Sequence, residues 1–218
     1  MTWVYLQVLV KLLRLMSYRM TTVTDALAAA DGRYACLTFD VADEHLLTEV
    51  LPALDLLRTP GTLFVPTAPA AQQMAWGALR ALAMKGWEIG SLGHEVANLT
   101  ECSYVDQRRS VMQSKELLTD HLGTQPKLFA YPFGAYDATT VSCVRAAGFT
   151  GAVTLKRGRN DDYFEDQAPF HLRRLPLHGS LLRDLPGVIK TAFLPSPRSK
   201  TPAAMHSRES VPSAGVGL

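Results

Sequence analysis

Apolar positions follow two rhythms along this chain. Residues 35–39, 62–65, 87–91, 128–131 and 151–155 are short apolar runs of strand length. Residues 46–57, 76–85, 103–122 and 137–145 instead repeat apolar side chains at helical spacing. The alternation of the two predicts an α/β fold with mainly parallel strands. Punctuation agrees with it. Pro60-Gly61 breaks the chain before one strand, and Gly86, Gly123 and Gly148 stand where helices should stop. Ser103 with Asp106 has the form of a capping box, and Asp137 can cap the helix that follows it. Residues 24–30 read as a short helical turn closed by Asp31-Gly32.

The run Trp3 to Met16 is strongly apolar but interrupted by Lys11 and Arg14, and too short to span a bilayer. Val4, Val8, Leu12 and Leu15 fall on one helical face, with Gln7, Lys11 and Arg14 on another. This predicts a helix packed on a domain through the first face, with a peripheral membrane helix as the alternative. Basic residues ahead of the apolar run and a small-residue cleavage site after it are both missing, which points to a cytoplasmic location. Beyond residue 194, Pro, Ser, Arg and Ala dominate without periodicity. The expected organisation is a domain over 1–193 and a disordered tail over 194–218.

Composition narrows the picture only slightly. A 218-residue chain with 47% hydrophobic and 19% charged residues is globular in type. A net charge of +2 is too weak to argue for nucleic acid. Cys36, Cys102 and Cys143 are widely spaced and form no zinc pattern, so free thiols are expected.

Three predicted strand ends carry the chemistry. The first is Thr38-Phe39-Asp40-Val41-Ala42. The second is Glu88-Ile89-Gly90-Ser91-Leu92-Gly93-His94-Glu95-Val96, running on to Leu99-Thr100. The third is Tyr131-Pro132-Phe133-Gly134. In this order they resemble the three motifs of the NodB-type polysaccharide deacetylases, carbohydrate esterases that remove acetyl groups from glycans. The likeness extends over about residues 3–185 and includes Leu172-Arg173-Arg174-Leu175-Pro176-Leu177-His178 as a closing segment. It implies a distorted (β/α) barrel with its site at the C-terminal ends of the strands. It also implies a further strand before the first helix. The chain shows no obvious counterpart, so the barrel is expected to be incomplete at its N-terminus.

By the same resemblance, Asp40 takes the position of the catalytic base, and Tyr131, Pro132, Phe133 and Gly134 line the substrate groove. His178 loosely matches a late acid histidine. The family's metal ligands, one aspartate and two histidines, are replaced by Val41, Leu92 and Val96, whose side chains offer no electron pair. No cofactor is therefore expected. A zinc-like divalent metal enters only if Asp43, His94 and Glu95 compose a rebuilt site. Three readings stay open: a domain that binds acetylated glycan or a polysaccharide-assembly protein after losing hydrolysis, an active deacetylase with a rebuilt site, or a purely structural protein.

Overall fold

The computed structural model describes residues 3–29, 32–40, 46, 50–68, 75–158, 160 and 168–177. Five strands form one parallel sheet in the order β3-β4-β5-β6-β7: β3 (Leu37–Asp40), β4 (Gly61–Val65), β5 (Glu88–Ser91), β6 (Leu128–Ala130) and β7 (Gly151–Val153). The connections bear the helices α3 (Leu51–Leu56), α4 (Trp76–Met84), α5 (Tyr104–Leu122) and α6 (Ala138–Ala146). Ahead of them come α1 (Trp3–Leu15), β1 (Arg19–Met20), α2 (Val23–Ala28) and β2 (Tyr34–Ala35), with β1 and β2 paired as a separate parallel ribbon.

Strand alternation divides the core into two sides. On β4, Leu63 and Val65 face the helices with Leu6, Leu9, Leu54 and Leu79, while Phe64 points to the inner side. There it joins Val23, Leu92, Leu128, Ala130, Val153 and Leu172 in an inner apolar plug. Gly90 is required beneath Phe64, because a Cβ on it would lie 2.6 Å from the ring.

The helix caps follow the sequence. The Ser103 hydroxyl accepts from the Asp106 amide, Asp137 accepts from the Thr140 amide, and Gly123 ends α5 in the left-handed conformation. Bonds donated by the Thr140 amide and by its hydroxyl hold the Asp137 carboxyl below its ordinary value of 3.8. A depressed folded-state value stabilises above the unfolded one and is lost as pH falls through the folded one. Asp137→Ala should therefore cost about 1 kcal/mol at neutral pH. In urea titrations the difference from wild type should shrink as pH falls below the ordinary value and be lost below the depressed folded-state one.

Two expectations are corrected. The run at 35–39 is not one strand: it breaks at Cys36, because Tyr34-Ala35 pairs with β1 and Leu37–Asp40 with β4. The helix α1 also buries the opposite face from the one its spacing suggested. Tyr5, Leu6, Leu9, Val10 and Leu13 are buried, whereas Val4, Val8 and Leu15 are exposed. The helix is apolar around most of its circumference, and the broader five-residue stripe wins the contact with the core. Among the described residues no helix is long and apolar enough to cross a membrane. All three cysteines are free, and burial pushes the Cys36 thiol up to about 12. Residues 178–218, including the expected tail, lie outside the described residues.

Candidate functional site

All parallel strands end on one side of the sheet, and three of those ends supply the predicted residues. Asp40 closes β3. Its carboxylate is held by Arg174 through two parallel bonds, Nη1 to Oδ1 at 2.6 Å and Nη2 to Oδ2 at 2.7 Å. Sequence reasoning assigned Arg174 only to a closing segment. That segment lies beside β7: Leu172 bridges Val153, and the Arg174 amide donates to the Lys156 carbonyl at 2.9 Å. The Arg174 guanidinium also donates to the Thr154 carbonyl at 2.9 Å and lies over the Phe64 ring. It thus spans from the β7 edge to β3, where the five-stranded sheet is open. The available signal was a carboxylate at a strand end needing a partner and two adjacent arginines in a strand-like run.

The pair is unequal in exposure, with side chains 12% exposed for Arg174 and 32% for Asp40. Asp40→Ala leaves a mostly buried guanidinium short of acceptors and should cost about 2 kcal/mol. Arg174→Ala leaves a carboxylate that water can reach and should cost about 1 kcal/mol. Urea denaturation of both single variants and the double variant should show less than additive losses.

The second motif divides its residues. Leu92 is 3% exposed and belongs to the inner plug. Val96 lies at the surface. Between them, His94 is half-buried, its Nδ1 3.0 Å from the Thr67 hydroxyl, and its amide donates to the Ser110 hydroxyl at 3.1 Å. Its carbonyl accepts from the Thr67 and Ala68 amides, which ties this loop to the end of β4. Glu95 is exposed. Ser91 donates to Ser114, which donates to the Val111 carbonyl, so hydroxyls fix the loop to α5.

At the third motif, Tyr131 and Pro132 are buried and Gly134 is half-buried. Phe133 is 66% exposed and sits at φ +57°. A left-handed phenylalanine is strained by roughly 1 kcal/mol or more. The turn is imposed from both sides. Tyr131 is anchored by its hydroxyl to the Phe170 carbonyl at 3.1 Å, and Gly134 packs so closely on Leu155 that a Cβ would lie 2.7 Å from it. The result presents an aromatic ring to solvent at the mouth of the sheet. Beside it, Tyr131 stacks on Tyr136, which lies against His171 and under the Lys156 ammonium.

Val41, Asp43 and His178 lie outside the described residues. Among the described residues, no three His, Cys, Asp or Glu side chains gather as a metal-binding group. Leu92, where the family resemblance implies a metal ligand, is packed among hydrocarbon and supplies no donor atom. Of the described residues, Leu92 and Val96 do not fit a metal site, since neither side chain has an atom that can bind the ion.

The signature of the family described as polysaccharide deacetylase matches residues 28–152. Solved structures share the fold. A Streptococcus pyogenes deacetylase, PplD, in complex with acetate aligns at 18% identity and a TM-score of 0.72, covering 83% of this chain and 82% of that one. IcaB from Ammonifex degensii aligns at 21% identity and 0.68, covering 84% and 85%. A polysaccharide deacetylase from Bacillus cereus aligns at 16% and 0.73, covering 87% and 61%. No curated protein matches the chain. The five-stranded parallel sheet with its helices is the curled half-barrel of these (β/α) neighbours.

Proposed function

This chain belongs to the polysaccharide deacetylase family, and we propose that it binds acetylated glycans without the family's metal-dependent hydrolysis. The observation that carries this reading is Leu92, buried in an apolar plug at a position where the family resemblance implies a metal-binding histidine. A catalytic metal supplies several kcal/mol of charge stabilisation and activates its water. Without it, the rate should be lower on the order of thousands-fold, at 1.36 kcal/mol per tenfold. Both oxygens of Asp40 are engaged by Arg174, so the carboxylate serves to close the sheet.

Binding uses the other half of the mouth. The Phe133 ring is held out to solvent at the cost of backbone strain, and an aromatic face suits the apolar face of a sugar ring. Chito-oligosaccharides are expected to raise the melting temperature of the wild type. Phe133→Ala should weaken binding by about three- to tenfold, the worth of one aromatic stacking contact. The same protein supplied with zinc, cobalt or nickel should release no acetate. Metal-stimulated acetate release would overturn the loss of hydrolysis. Absence of binding to any acetylated glycan would instead favour a purely structural role.

A further inference from the structure

The opposite end of the sheet carries a second surface that the glycan reading does not use. The helices α1, α3 and α4 all end there, each just before the strand that follows it. Two side-chain contacts fix these ends in a row. Arg14 donates to the Leu57 carbonyl at 2.8 Å and to the Thr59 hydroxyl at 3.1 Å, joining α1 to α3. Lys85 meets Asp55 at 2.7 Å, joining α4 to α3.

Each of the three ends projects one large apolar side chain: Leu15 at 83% exposure, Leu56 at 78% and Met84 at 89%. They are the three most exposed large hydrophobic residues among those described. A basic residue follows each of them closely in the chain. Arg19 opens β1, Arg58 follows α3 and Lys85 follows α4, all exposed. Arg58 and Lys85 also line, with Asp55, Thr59 and Pro60, a shallow depression floored by Trp87.

We propose that this face docks on the surface of an anionic lipid bilayer. Leu15, Leu56 and Met84 enter the headgroup region, and Arg19 and Arg58 meet lipid phosphates. Charge complementarity selects this occupant: Lys85 and Asp55 neutralise each other, which leaves the exposed Arg19 and Arg58 as the charge of the row among the described residues. The form of the apolar groups agrees. They are separate side chains standing out from three helix ends, which a fluid interface accepts, whereas a folded protein partner requires a complementary surface around all three. The exposed face of α1, with Val4 and Val8, continues the same apolar character along one side. In this orientation Asp40 and Phe133, at the C-terminal ends of the strands, point away from the bilayer. The inference stands independently of the glycan reading.

The test is sedimentation of the full chain with vesicles of phosphatidylcholine alone or mixed with phosphatidylglycerol. The wild type should bind the mixed vesicles at least tenfold more tightly, since each basic residue near an anionic surface contributes about fivefold. Raised salt should weaken that binding. The variant L15S/L56S/M84S should lose it while keeping its melting temperature, because all three side chains are already in water. R19Q/R58Q should weaken it on mixed vesicles and leave neutral vesicles unaffected. Failure of the wild type to sediment with mixed vesicles would overturn the proposal. So would undiminished binding by the folded triple-serine variant. Concentration-dependent dimerisation that this variant abolishes, without vesicle binding by the wild type, would assign the face to a second copy of the chain instead.

Discussion

Leu92→His is expected to destabilise the fold by about 3 kcal/mol, because it removes a buried leucine and places an imidazole among hydrocarbon. Its neighbours in the plug are Val23, Phe64, Leu128, Ala130, Val153 and Leu172. None of these side chains offers a hydrogen-bond partner. Val96→His should change stability little, since Val96 is already exposed. The combined variant V41D/L92H/V96H restores the ligand types that the family resemblance implies at the three positions. It should be unstable alone and recover when zinc is added, by about 2.7 kcal/mol at a hundredfold excess over the dissociation constant. Acetate release from an acetylated oligosaccharide should then appear in the zinc-loaded variant and be absent from the wild type. Urea denaturation with and without zinc, beside an acetate assay, checks both halves. A Leu92→His protein as stable as wild type would show that the plug is open at this position, and the argument against hydrolysis would lose its basis.

Tyr131→Ala should cost about 4 kcal/mol, as large aromatic truncations in cores do. The ring is 1% exposed, edge-on to Phe129 and stacked on Tyr136 with centroids 4.9 Å apart. Tyr131→Phe keeps the ring and removes the hydroxyl that donates to the Phe170 carbonyl, for about 1 kcal/mol. Burial raises the Tyr131 hydroxyl well above its ordinary value, so the donor persists through neutral and mildly alkaline pH. Phe133→Gly behaves differently. It relieves the left-handed strain and loses only an exposed ring, so stability should stay within about 1 kcal/mol of wild type. Thermal melts of the three variants separate the two roles within one turn: Tyr131 holds the fold, and Phe133 is free to meet a ligand. A Tyr131→Ala protein that melts with the wild type would refute that division.

Much of this molecule was legible residue by residue. The alternation of apolar runs and helical repeats gave the strand and helix order from β4 to β7, and the caps Ser103, Gly123 and Asp137 stand where the sequence put them. Cap chemistry and strand propensity act over a few residues, so they survive without tertiary information. The same locality explains the two misreadings. Nothing between residues 34 and 40 says that the chain changes pairing partner at Cys36. An apolar helix such as α1 has two eligible faces, and only its neighbours choose between them.

By itself, then, the sequence determined the alternating architecture, the strand-end placement of Asp40, Leu92 and Phe133, and the absence of donor atoms from Val41, Leu92 and Val96. The tertiary structure alone decided that Leu92 joins an apolar plug, that Tyr131 is buried while Phe133 is presented, and that Asp40 is held by Arg174. Those two residues are 134 positions apart, and their meeting depends on the whole sheet curling until its last edge reaches its first strand. Local patterns carry no record of such a contact, because its energy exists only once the intervening strands have packed.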